Sequence, residues 1–307
     1  MDFKSGKELL TVCKTEHCPI SAAMRGRECE LAETTADVVN HRMARALEIM
    51  RASAAQPIKT PGRSMGGLIG GEAKKLFTHG TKGKNICGEV LGKAMTYAMA
   101  VLEVNASMGL IVAAPTAGSA GVVPGLLLAL QECYHISDDR LLDALFNAGA
   151  VGYLAMRNAT VAGAVGGCQA EVGVAAAMAA SAAVELMGGA PDQCLDAAST
   201  VLMNMLGLVC DPVGGLVEYP CQNRNAAGVA NALIAAELSL SGVSQLIPFD
   251  EMLETMYTVG KRLPVELRET ALGGCAAAPS ACSRCGMCAE AGRGGTGAAG
   301  RKSKEDV

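Results

Sequence analysis

Cys168, Cys210 and Cys221 are the residues of this 307-residue chain best suited to chemistry. Cys168 lies in GGCQAEVG, and Cys210 and Cys221 bracket VCDPVGGLVEYPCQNRN. Glycine and proline around each let the backbone bend closely about a bulky inorganic ligand. Spacings of 42 residues (168 to 210) and 11 residues (210 to 221) match neither a zinc finger nor a ferredoxin run. Three thiolates with no nearby histidine, and no fourth cysteine at regular spacing, suggest an iron–sulfur cluster with one iron left open. An open iron is a Lewis acid, which points to non-redox chemistry on a small substrate. On pattern alone, three buried structural cysteines read equally well.

Other polar residues sit where a substrate can be met. The loop PTAGSAG, with Thr116 and Ser119, can present hydroxyls and backbone N–H groups to a carboxylate; a plain helix–helix turn is the alternative. Asn105 lies in the otherwise apolar VLEVNASMG, and a buried amide needs partners. Arg224 and Asn225 follow Cys221 closely enough to donate toward a cluster or its ligand, although helix capping accounts for Asn225 equally well. Lys93 or Arg268 can pair with a substrate carboxylate, against the plainer reading of an internal salt bridge. GRSMGGLIGG has Gly62 and Gly67 at phosphate-loop spacing, but Leu68 replaces the required lysine. Near the C-terminus Cys275, Cys282, Cys285 and Cys288 include a C-x-x-C-x-x-C run, a second metal site or a redox-sensitive tail.

Helices must position these groups. Helical spacing of apolar residues runs from about Thr35 to Ser53 and from about Asn85 to Ser107, with a Gly/Pro-rich loop from Pro57 to Gly71 between them. Ser137 caps a helix over Arg140 to Ala150. Cys168 opens an Ala-rich helix that Gly188-Gly189 stops, and Pro191-Asp192 starts the next, ending near Gly207. Arg224 to Leu240 and Phe249 to Arg262 complete the set. The expected fold is all-α: a single compact multi-helix domain with Gly/Pro-rich active-site loops. An N-terminal segment (1–34) and a Cys/Gly-rich tail (273–307, partly disordered) flank the helical body (35–272) as loosely attached ends.

Composition narrows the function. Half the residues are apolar but only 3% aromatic, so Ala, Gly, Leu, Val and Met do the packing. A net charge of −4 gives no basic footprint for nucleic acid or anionic lipid. The apolar windows Ala106–Leu130 and Ala159–Gly189 are interrupted by prolines or by Gln and Glu and read as buried helices, not membrane spans. Thirteen cysteines without a secretory signal imply reduced thiols in a soluble, cytoplasmic protein.

The segments VLEVNASMGLIVAAPTAGSAGVVPG, NATVAGAVGGCQAEVGVAAAMAA, LGLVCDPVGGLVEYPCQNRNA and LRETALGG closely resemble the α chain of iron–sulfur-dependent L-serine dehydratases, from about Ser64 to Gly274. The resemblance implies that Cys168, Cys210 and Cys221 hold a four-iron, four-sulfur (4Fe-4S) cluster. It also implies a helical body and a Pro-Thr substrate loop at Thr116. The implied reaction removes water from L-serine, and the resulting aminoacrylate becomes pyruvate and ammonia. Many bacterial members are two-chain enzymes whose separate β subunit carries a Ser-Ser-Ser-His-Thr type motif. That motif is absent here, which implies a partner chain bringing the general base. His17, His41, His79 and His135 read as surface or capping residues. A cysteine desulfidase, a related amino-acid lyase or a non-catalytic iron–sulfur sensor are the competing readings. A pyridoxal-phosphate lyase would perform the same reaction, but no Ser-x-Lys or phosphate-cup pattern supports one.

Overall fold

A computed structural model describes residues 2–83 and 85–284, apart from the side chains of Cys282 and Arg284. Among these residues the chain forms helices α1 (Gly6–Thr15), α2 (Ile20–Leu31), α3 (Ala36–Lys59), α4 (Glu72–Thr81), α5 (Gly88–Ala106), α6 (Val122–Tyr134) and α7 (Asp138–Asn158). Then follow α8 (Gly163–Gly166), α9 (Cys168–Leu186), α10 (Pro191–Asn204), α11 (Cys221–Leu240), α12 (Phe249–Arg262) and α13 (Pro279–Arg284). The described residues contain no β-strand, only one parallel bridge between Cys210 and Arg268. The all-α expectation holds. Cys285, Cys288 and the rest of the expected disordered tail lie outside the described residues.

Helix α9 is the axis of the fold. Its sequence, CQAEVGVAAAMAASAAVEL, is buried on every face except at Glu171 and Glu185, as an apolar helix without a polar side must be. Helices α6, α7, α10 and α11 pack around it. Alanine at most contact positions lets backbones approach closely, which explains how a chain with so few aromatics fills its core. The far end of α9 carries a small polar network. Glu185 Oε2 accepts from Asn147 Nδ2 at 2.7 Å, and Ser181 Oγ donates to Asn147 Oδ1 at 2.6 Å.

Several boundaries differ from the sequence expectation for physical reasons. Ser137 does cap α7, but the helix runs on to Asn158. Helix α3 continues through Pro57 to Lys59, the proline falling in its last turn. The N-terminal segment is not loosely attached. Phe3, Leu9 and Ile20 are fully buried in the main core. Arg27 lies over the Tyr153 ring at 3.8 Å, while Phe3 meets Tyr153 edge-on at 5.8 Å. Few aromatics are present, and two of them fasten α2 to α7. No helix among the described residues is long and apolar enough to cross a membrane.

All cysteines whose side chains are described are free. Burial is the main cause that pushes the Cys13 thiol up to about 12 from its ordinary 9.0, and it pushes Cys194 up as well. A thiol raised by folding stabilises the native state below pH 9 and loses that contribution as pH climbs toward its folded value. Thermal midpoints are therefore expected to fall between pH 9 and 12, with a shallower fall in Cys13→Ala. Identical slopes for the two proteins in differential scanning calorimetry would contradict this.

Candidate active site

Each of the three cysteines is delivered by a local device. Cys168 is the first residue of α9 and Cys221 the first of α11. Both therefore sit at positive helix ends, where the helix dipole favours an anion. Cys210 lies in extended backbone: its N–H donates to Leu267 O at 2.8 Å, and its carbonyl accepts from Glu269 N–H at 2.7 Å. All three cysteines are buried. Gln169, beside Cys168, ties the surroundings together. Its Nε2 donates to Met256 O on α12 at 2.9 Å, and its Oε1 accepts from Gly207 N–H at 2.8 Å on the approach to Cys210.

The Cys168 and Cys210 sulfurs and a Glu171 carboxylate oxygen all lie within 4.8 Å of one another. The Cys168 thiol is drawn down, first by its hydrogen bond with Cys210, with burial opposing and the Arg224 charge assisting. The shared hydrogen and burial push Cys210 up, and burial followed by the charge of Cys168 raises Cys221. Of the three thiols, Cys168 is thus the one whose surroundings favour loss of its proton, and the other two hold theirs until a cation takes the protons' place. Burial, reinforced by Glu269, raises the Glu171 carboxyl against the opposing hydrogen bond from Thr116.

Arg224 supplies the positive charge. Its Nη1 lies 3.6 Å from Cys168 Sγ, 2.9 Å from Val209 O and 2.6 Å from Asp211 Oδ1. The expected Thr116 loop forms the opposite wall. Thr116 Oγ1 donates to Glu171 Oε1 at 2.5 Å and lies 3.0 Å from Ser119 Oγ. Ser119 is fully buried behind it and braces the loop through Ala114 O at 3.4 Å. Asn225 neither caps a helix nor reaches a thiol. Its Nδ2 donates to Gly118 O (2.8 Å) and Cys221 O (2.9 Å), and its Oδ1 accepts from Gly121 N–H (3.1 Å). It pins the Thr116 loop to the first turn of α11.

One expected substrate residue, Lys93, is held in ion pairs of its own. Lys93 Nζ pairs with Glu89 at 3.0 Å and with Glu132 at 3.3 Å. Glu132 is ten residues into α6, about 15 Å along the helix from its Thr116 end. Asn105 is half-buried in the last turn of α5, and the buried polar anchor of that helix is Glu103 instead. Glu103 accepts from Gly71 N–H (3.0 Å), Ala73 N–H (2.8 Å) and Gln222 Nε2 (3.2 Å). Arg268 stands on the bridge beside Cys210, its Nε buried without a hydrogen bond. All four histidines are exposed, His17 and His135 at helix ends with positive φ, as expected of surface and capping residues.

Sequence reasoning missed Glu171, although it follows Cys168 by three residues and so shares its helix face. It also missed Gly163. A Cβ there would lie 2.8 Å from Cys210 Sγ and 3.2 Å from Glu171 Oε2, so the bare backbone leaves room beside the thiol. Gly163→Ala is expected to fold normally and to weaken metal uptake by about tenfold, the lower end of an overpacking penalty of about 1–3 kcal/mol. Unchanged uptake in a metal titration would contradict that role.

Comparison with known proteins places this geometry. Residues 15–276 match the family described as serine dehydratase alpha chain. The probable L-serine dehydratase alpha chain of Bacillus subtilis is 46% identical over 91% of this chain and 92% of its own length. The L-serine dehydratase alpha chain of Peptoniphilus asaccharolyticus is 43% identical over 90% of this chain and 94% of its own. L-serine dehydratase 1 of Escherichia coli is 36% identical over 89% of this chain but only 61% of its own length. With the match spanning the helical body, all three cysteines and the Thr116 loop, the chain belongs to the serine dehydratase alpha chain family of lyases.

Proposed function

We propose that the chain is the α subunit of an iron–sulfur L-serine dehydratase, with Cys168, Cys210 and Cys221 holding a 4Fe-4S cluster. One observation carries the reading: the buried Cys168 and Cys210 thiols, from separate segments, lie within 4.8 Å of one another with Arg224 against Cys168, and the buried Cys221 thiol is near enough to feel the charges of both Cys168 and Arg224. Soft thiolate donors are those that iron–sulfur clusters take, and Gly163 leaves space beside Cys210. When bound, such a cluster supplies a Lewis-acid iron that makes a substrate hydroxyl a better leaving group.

The chain's own residues prepare that event. Arg224 offsets negative charge at Cys168, which favours the thiolate needed for ligation. Glu171 orients the Thr116 hydroxyl by accepting its hydrogen, leaving the Thr116 oxygen as an acceptor for a substrate ammonium. Arg268, whose backbone bridges to Cys210 and whose Nε is buried without a hydrogen bond, would supply the cation for a substrate carboxylate. Burial on α9 and the packed Thr116 loop keep bulk water from the thiols. No described histidine stands among these groups, so the base for the Cα proton comes from a β chain. Support for that partner comes from relatives such as E. coli L-serine dehydratase 1, whose length extends well past the matched part. The free cysteines agree with a reducing, cytoplasmic setting.

Anaerobic reconstitution with iron and sulfide, with and without the β chain, followed by a pyruvate assay, tests the proposal. Pyruvate is expected from L-serine only when metal and partner are both present. Activity that survives complete iron removal would sink the cluster reading, and faster pyruvate release from L-cysteine would favour a desulfidase.

A further inference from the structure

Asp211 stands next to a candidate ligand yet points its carboxylate elsewhere. It is 2% exposed, and its two oxygens serve different segments. Oδ2 accepts the backbone N–H of Cys275 at 2.6 Å, across 64 residues of chain. Oδ1 meets Arg224 Nη1 at 2.6 Å as a charge contact, not an aligned hydrogen bond. The hydrogens of that nitrogen go instead to Val209 O and Cys168 Sγ. The guanidinium is therefore held on Cys168 by two anchors from the segment that carries Cys210. The turn at Gly274 has φ +59°, and a Cβ there would fall 2.2 Å from Asp211 Oδ2. Only glycine lets the backbone close on this carboxylate.

We infer that Asp211 is a positioning residue: it fixes the Arg224 guanidinium on Cys168 and, through the Cys275 amide, makes the Gly274–Cys275 turn the outer wall of the thiol cage. The inference rests on the ligand assignment proposed above. A neutral side chain at 211 takes the counter-charge from a buried guanidinium and weakens the acceptor for the Cys275 amide. Both walls of the cage then loosen together. A change at Arg224 acts on the same contact from the other side, so the two changes must not add.

The test compares the full-length wild-type chain with Asp211→Asn, Arg224→Lys and the double variant. Arg45→Gln, which breaks an exposed pair with Glu48, serves as the control. In apo protein, hydrogen exchange at residues 274–278 is expected to quicken by about tenfold in Asp211→Asn and to stay unchanged in the control. In anaerobically reconstituted protein, iron loss to a chelator is expected to quicken by about tenfold in each single variant, with the double variant no faster than the quicker single. Wild-type exchange or wild-type iron retention in Asp211→Asn overturns the inference, as do additive effects in the double variant. A wild-type chain that takes up no iron and sulfide overturns the ligand assignment and this inference with it. A wild type that loads, with Asp211→Asn matching it, overturns the positioning role alone.

Discussion

Alanine at any one of Cys168, Cys210 or Cys221 is expected to leave a folded chain that cannot keep a complete iron–sulfur centre, with serine elimination falling by about 1000-fold or more. The size follows from the part proposed for the thiols. A Lewis-acid centre contributes several kcal/mol to a difficult departure of hydroxide, and each 1.4 kcal/mol is about tenfold in rate. The three positions are not equivalent in the apo protein. Cys168 is the one drawn toward the thiolate, in contact with both Cys210 and Arg224. Its loss removes a hydrogen-bond partner of both Cys210 and the Arg224 guanidinium, so Cys168→Ala should also lower apo stability more than Cys221→Ala does. Circular dichroism confirms folding, and metal analysis with the pyruvate assay reads the loss. A variant that keeps its metal and activity would remove that cysteine from the ligand set.

Glu218→Ala is expected to lower stability by about 3 kcal/mol or more and to release the Gly-rich loop of residues 61–71 from the Cys210–Cys221 segment. Glu218 is almost fully buried. It accepts from Ser64 Oγ at 2.6 Å, Gly66 N–H at 2.6 Å and Leu68 N–H at 3.0 Å. Alanine strands three donors at once, and an unsatisfied buried donor costs about 1–3 kcal/mol. Glutamine retains one acceptor oxygen and should fall between wild type and alanine. Because Glu218 lies three residues before Cys221, metal retention should decline with stability in the same order. Urea denaturation reads the first effect. A loss under 1 kcal/mol would mean that the loop holds itself.

The contrast between Cys168 and Glu218 shows what can be read from a sequence and what cannot. Cys168, Cys210 and Cys221 are legible because glycine, proline and helix-start signals around them are local. Helix α9 is legible because an Ala-rich run bounded by glycine pairs admits few other conformations. Glu218 carries no such mark. Its donors lie about 150 residues earlier, in a loop whose glycines suggested a turn but not what it docks against. Asp211 is hidden in the same way, its partner Cys275 lying 64 residues away and being set by packing alone. The bounds of helices α1 and α2 are not legible because few apolar residues mark their buried stripe. Lys93 had a local signal pointing away from substrate: Glu89 stands four residues before it, the favoured arrangement for an intrahelical pair.

The most direct measurement is iron and acid-labile sulfide per chain after anaerobic reconstitution of the wild type and the three cysteine variants. The wild type should hold about four of each, and each variant should fail to retain the full complement. A single metal ion without sulfide, or an intact cluster in Cys168→Ala, would contradict the assignment of these three thiols.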